Sequence, residues 1–133
     1  MGTAHVDTFA HDHLPPRSAW PDLLLEGLSY PDELNAAAVL LGEPRLEPRA
    51  CVVGESGTWT YAELRSHAEA VAAALAGKAG LVPGNRVLLH GPNGPELIAC
   101  WFGILLAGGV VVATMPLLRA GCLLYTSPSP RDS

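Results

Sequence analysis

Apolar and polar positions alternate along the chain with two different periods, and the clearer one is helical. Leu64, Ala68, Val71, Ala72 and Leu75 fall three or four residues apart, a spacing that gathers them on one face of a helix predicted over 61–76. Its start is marked by Thr60-Tyr61-Ala62-Glu63. This is a capping box, in which the Thr60 hydroxyl accepts from the Glu63 amide while the Glu63 carboxylate reaches back. Gly77 and Gly80 end the helix. Pro83-Gly84-Asn85 reads as a turn, and Arg86 to His90 as a strand. The unbroken run Val87-Leu88-Leu89 predicts that this strand is buried on both faces. Gly91 to Gly94 forms a loop, and Pro95 occupies the first position of a second helix, on which Leu97, Trp101 and Leu105 share one face. Gly108-Gly109 then leads into a strand over Val110 to Ala113.

Upstream, Asn35 can cap a short helix over Ala36 to Leu41, stopped by Gly42 and Pro44. Ala50 to Val53 and Thr58 to Thr60 read as the two strands of a hairpin joined through Gly54 to Gly57. The order hairpin, helix, strand, helix, strand implies an α/β unit whose last two strands are parallel. Residues 1–34 form an N-terminal arm with prolines at 15, 16, 21 and 31. Trp20, Tyr30 and the leucines of the arm are expected to lie against the body at 35–119. Residues 120–133, polar and proline-rich, do not continue the pattern and are expected to be a disordered or non-native tail.

Composition narrows the picture. Of 133 residues, 49% are hydrophobic and 16% charged, with a formal net charge of −5. This is too apolar for a disordered chain and too acidic for a nucleic-acid binder. Three cysteines are too few and scattered for a disulfide framework, and the His- and Asp-rich start shows no export signal. The expectation is a cytoplasmic protein. One rival comes from Leu97 to Leu118, 22 residues without a charge, long enough for a membrane span. Gly108-Gly109, the β-branched residues after them and Pro116 favour a helix followed by a strand instead.

Several motifs fail on inspection. Lys78, the only lysine, follows Gly77, but Ala72 and Ala79 stand where a phosphate-binding loop needs glycine and a hydroxyl. Gly91 and Gly94 do not make a dinucleotide fingerprint. Gly54-Glu55-Ser56-Gly57-Thr58 lacks the final glycine of a nucleophile elbow and reads as a turn. His5, His11 and His13 with Asp7 and Asp12 have no second cluster to complete a metal shell and read as solvated. His90 ends a strand, where it can hydrogen-bond locally. No catalytic, cofactor-binding or metal residue is assigned.

Two stretches resemble a known family. Gly57-Thr58-Trp59-Thr60-Tyr61-Ala62-Glu63-Leu64 is similar to the first signature of the adenylate-forming (AMP-binding) enzymes, which include acyl-CoA synthetases and peptide-synthetase adenylation domains. Gly84-Asn85-Arg86-Val87 with Pro92-Asn93, then Leu106 to Pro116, resembles their next block, with Leu106 standing where the family often has lysine. Asp7-Thr8-Phe9-Ala10, His13-Leu14-Pro15-Pro16, Trp20-Pro21, Tyr30-Pro31, Leu34-Asn35 and Met115-Pro116-Leu117-Leu118-Arg119 resemble the benzoate- and 2-aminobenzoate-CoA ligase branch.

The resemblance implies an N-terminal piece of an ATP-dependent acid-CoA ligase. Such an enzyme turns a small carboxylic acid, here an aryl acid, into an acyl-adenylate and then a CoA thioester, using ATP, Mg2+ and CoA. It implies neither a nucleic-acid nor a membrane partner. The family's Gly/Ser/Thr-rich loop, ribose-binding aspartate and C-terminal-domain lysine have no counterpart in this sequence, so the piece is expected to be inactive alone. Cys122 to Asp132 resembles the translation of a sequencing-library transposase adapter, which would end the native information near Ala120. Beside this reading stand the membrane-anchored protein and a non-catalytic α/β binding module.

Overall fold

The computed structural model describes residues 4–21, 27, 31, 33–55 and 57–118. The tail expectation, the adapter-like segment, Tyr30 and the arm's leucines at 23–25 and 28 lie outside them. Two short helical turns open the chain, α1 (Phe9–Asp12) and a 3-10 turn at Arg17–Ala19. Helix α2 (Ala36–Leu41) starts where Asn35 caps it, its side chain accepting from the Ala38 amide at 3.1 Å. After a 3-10 turn at Pro44–Leu46, β1 (Ala50–Gly54) and β2 (Gly57–Thr60) pair antiparallel, with an irregularity at Cys51.

Helix α3 (Tyr61–Gly77) carries both halves of the capping box. The Thr60 hydroxyl accepts from the Glu63 amide at 3.2 Å, and the Glu63 carboxylate accepts from the Thr60 amide at 2.8 Å. Strand β3 (Arg86–His90), helix α4 (Pro95–Leu106) and strand β4 (Val110–Thr114) complete a β-α-β unit. β3 and β4 are parallel and in register from Arg86–Val110 to His90–Thr114. The α/β architecture with a hairpin and a parallel pair is therefore as the sequence implied.

The core sits between α3, α4, α2 and the hairpin. Leu41, Leu64, Ala68 and Ala99 are buried, ringed by Cys51, Val52, Trp59, Tyr61, Ile98, Phe102 and Leu106. α3 and α4 approach closely because position 103 is glycine. A Cβ there would lie 2.6 Å from Val71 Cβ, well inside contact distance.

On α4 the line Pro95, Ala99 and Gly103, with Ile104, faces the core; of the Leu97–Trp101–Leu105 stripe, Trp101 is 48% exposed. The small residues win because they alone let the helix axes close up. Next, β3 alternates rather than burying both faces: Leu88 is 59% exposed, as Val112 on β4 is at 42%. α4 covers one face of the parallel pair, and no described element covers the other. Finally, the uncharged run 97–118 is split between α4 and β4, the helix followed by a strand that Gly108-Gly109 and the β-branched residues after them favoured. No helix of the described residues is long and apolar enough to cross a membrane.

The arm does lie against the body, but through residues 6–9. Trp20 remains 43% exposed, its indole N–H donating to Pro15 O at 2.8 Å within the arm itself.

Candidate functional site

In an open α/β layer, ligands approach the carboxyl ends of parallel strands, where loops and helix N-termini converge. Here that place is formed by His90, Thr114, the loop Gly91–Gly94 and the start of α4. His90 and Thr114 are register partners, and His90 Nδ1 lies 2.9 Å from Thr114 Oγ1. The Thr114 hydroxyl donates to Leu89 O at 3.5 Å. An imidazole protonated on Nδ1 satisfies both contacts and leaves Nε2 as an acceptor.

The start of α4 does not suit a phosphate. Gly94 supplies no side-chain cap, Pro95 lacks an N–H, and Glu96 puts a carboxylate in the first turn. That carboxylate already answers the positive end of the helix dipole and would repel a second anion. Lys78 is exposed and lies past the other end of α3, its amide donating to Ala74 O at 2.9 Å. Neither the start of α4 nor Lys78 therefore forms a cradle for a phosphate. The described residues also hold no group of three or more His, Cys, Asp or Glu able to bind a metal. In the arm, His13 Nδ1 lies 2.7 Å from Phe9 O, and His11 lies beside Asp12 at 3.7 Å.

The hairpin that carries the elbow-like motif turns through Gly57 at φ +124. It returns to a strand and not to a helix until Tyr61, so the motif is a turn. Beneath it lies an apolar groove of about 250 Å³ between α2, β1 and the α3–α4 pair, lined by Leu40, Leu41, Cys51, Val52, Tyr61, Leu64, Ile98 and Phe102. The Cys51 thiol donates to Trp59 O at 3.4 Å. Burial raises its pKa, and the Glu63 carboxylate raises it further. A thiol held protonated is a poor nucleophile, so Cys51 gives the groove contact surface rather than a thiolate.

One polar cluster escaped the sequence reading. Asp7, taken there as solvated, accepts from the Phe9 amide at 3.0 Å, from Asn85 Nδ2 at 2.8 Å and from the Arg86 guanidinium. These bonds hold its carboxyl below the usual carboxylate range, the Phe9 amide contributing most, then Asn85, then Arg86. Asp7 and Arg86 are 79 positions apart, and no local pattern couples them.

Comparison with known proteins follows the same outline. The model of the family described as AMP-binding enzyme matches residues 44–127. Triostin synthetase I from Streptomyces triostinicus is 35% identical over 107 residues, which cover 73% of this chain and 19% of that protein. The salicyl-AMP ligase / salicyl-S-ArCP synthetase of Mycobacterium tuberculosis is 45% identical over 64 residues, 48% of this chain and 11% of the relative. Among solved structures, a benzoate CoA ligase from Burkholderia xenovorans LB400 superposes with a TM-score of 0.61 at 28% identity, covering 67% of this chain and 18% of that one. The chain thus spans about a fifth or less of each of these proteins.

Proposed function

The chain belongs to the AMP-binding enzyme family, and on that premise we propose that it is the N-terminal part of an ATP-dependent ligase joining a small aryl acid to CoA. The observation that carries this is the pair of spaced signatures, Gly57 to Leu64 and Gly84 to Pro116, lying within the matched span 44–127. In the proposed reaction the carboxylate attacks the α-phosphate of Mg-ATP, releasing pyrophosphate. The CoA thiol then attacks the acyl carbonyl and AMP leaves. In this reading residues 1–34 are an arm, 35–119 the first part of the synthetase domain, and 120–133 an adapter-derived tail. The enzyme works in the cytoplasm with ATP, Mg2+ and CoA.

The aryl acid is supported by the arm motifs from Asp7 to Asn35 and by the names of two neighbours, a benzoate CoA ligase and a salicyl-AMP ligase. A second reading concerns the acceptor. One relative is named a salicyl-S-ArCP synthetase, which favours transfer to a carrier-protein thiol in place of CoA.

The test is to extend the coding sequence past the Arg119 codon and assay the complete enzyme. Acid-dependent exchange of pyrophosphate into ATP with benzoate, 2-aminobenzoate or salicylate supports the aryl-acid ligase, and no exchange with any of them refutes it. Thioester formation with CoA supports the first acceptor; transfer only to a phosphopantetheinylated carrier protein supports the second. The 133-residue chain alone should form no thioester, and a ligand-dependent rise in its melting temperature would instead favour a binding module. If the tail is adapter, the DNA reads CTGTCTCTTATACACATCT from the last base of the Gly121 codon through the Ser127 codon. Synonymous codons that break this string defeat the tail assignment.

A further inference from the structure

We propose that residues 6–9 act as a strap that clamps the start of the parallel strand pair, with Asp7 as its buckle. This proposal stands apart from the ligase reading. The strap meets the turn before β3 through two backbone bonds, the amides of Val6 and Asp7 both donating to Pro83 O at 2.9 Å. Gly84 makes the approach possible: at φ +96 it carries no side chain where the Asp7 carbonyl comes in.

The Asp7 carboxylate then gathers three donors, the Phe9 amide, Asn85 Nδ2 and the Arg86 guanidinium. The Phe9 ring lies 4.5 Å from the same guanidinium, within cation–π range.

What the strap holds is decided by Asn85. Its side-chain oxygen accepts from the Val82 amide at 2.9 Å, and its Nδ2 is committed to Asp7. Its backbone carbonyl accepts from the Val110 amide at 2.8 Å, beside a second bond from the Gly84 amide to Gly108 O at 2.8 Å. These two bonds join the entrances of β3 and β4. A carboxylate 78 positions upstream of Asn85 thus fixes the rotamer of the residue that starts the β3–β4 ladder. A two-stranded parallel pair with one face uncovered is weak by itself, so an external clamp at its first rung has a physical purpose. The clamp lies at the opposite end of the strands from His90 and Thr114.

Amide hydrogen exchange on the full chain tests this. Asp7→Ala should speed exchange of the Val6 and Val110 amides by about ten-fold, since bonds to a charged group are lost. The α3 amides, such as that of Ala72, should keep their rates. Asp7→Asn, which keeps the shape but not the charge, should give an intermediate rise at the same amides. If Val110 exchanges at the same rate in Asp7→Ala as in the unchanged chain, the clamp does not exist. A uniform rise that includes α3 also overturns it, because the strap would then be supporting the whole fold rather than the strand entrance.

Discussion

Replacing Gly103 with alanine probes the contact on which the core depends. Alanine is normally the better helix residue, by about 1 kcal/mol in a helix interior, so propensity alone calls for stabilisation. The geometry opposes it. The new Cβ would sit 2.6 Å from Val71 Cβ and Cγ1 and 2.9 Å from Ala68 O. Carbon contacts relax at about 3.5–4.0 Å, so α3 and α4 would have to separate by roughly 1 Å. The Ala68 carbonyl is helix backbone and cannot rotate away. Overpacking of this kind costs about 1–3 kcal/mol, and after the propensity gain a net loss of up to about 2 kcal/mol remains.

Urea unfolding followed by far-UV circular dichroism would read this as a midpoint lowered by up to roughly 1 M. Gly77→Ala is the control, since a Cβ there meets nothing within 4 Å; it should stabilise by about 0.4 kcal/mol or more. Adding Val71→Ala to Gly103→Ala should restore part of the loss by removing Cγ1. A Gly103→Ala chain as stable as Gly77→Ala would refute the close-packing argument.

Three further outcomes are expected. Thr60→Ala should lose about 1 kcal/mol by breaking the cap of α3, with Thr60→Ser nearly unchanged in the same urea titration. Docking of the strap should depend on acid. Because the Asp7 pKa is lowered from its ordinary 3.8, its contribution is fully present above about pH 4 and lost as the pH falls through the lowered native value. Protection of the Val6 amide, its observed exchange measured against the intrinsic rate at each pH, should therefore fall on acidification, and Asp7→Asn should abolish the dependence. Finally, Cys51, its pKa raised chiefly by burial, should react with iodoacetamide at pH 8 more slowly in the native chain than in urea. Equal rates would place the thiol outside the core.

What the sequence determined by itself is local. The Thr60–Glu63 box, Asn35, Pro95 and the glycines at 77, 80 and 108 act within a few residues, and so the bounds of α2, α3, α4 and the strands could be read from them. The family signatures sit on these same elements, which is why they were legible as well. The tertiary structure decided everything that joins distant positions. Spacing puts Leu97, Trp101 and Leu105 on one face of α4 without saying which face turns inward; close helix packing selects for size, and Ala99 and Gly103 took the inner face. Leu88 looked buried because apolar runs imply two covered faces, and burial depends on what lies opposite. Asp7 looked solvated because its partners, Asn85 and Arg86, stand 78 and 79 positions away. A carboxylate finds its donors through space, and composition, period and spacing carry no record of which turn the arm will meet.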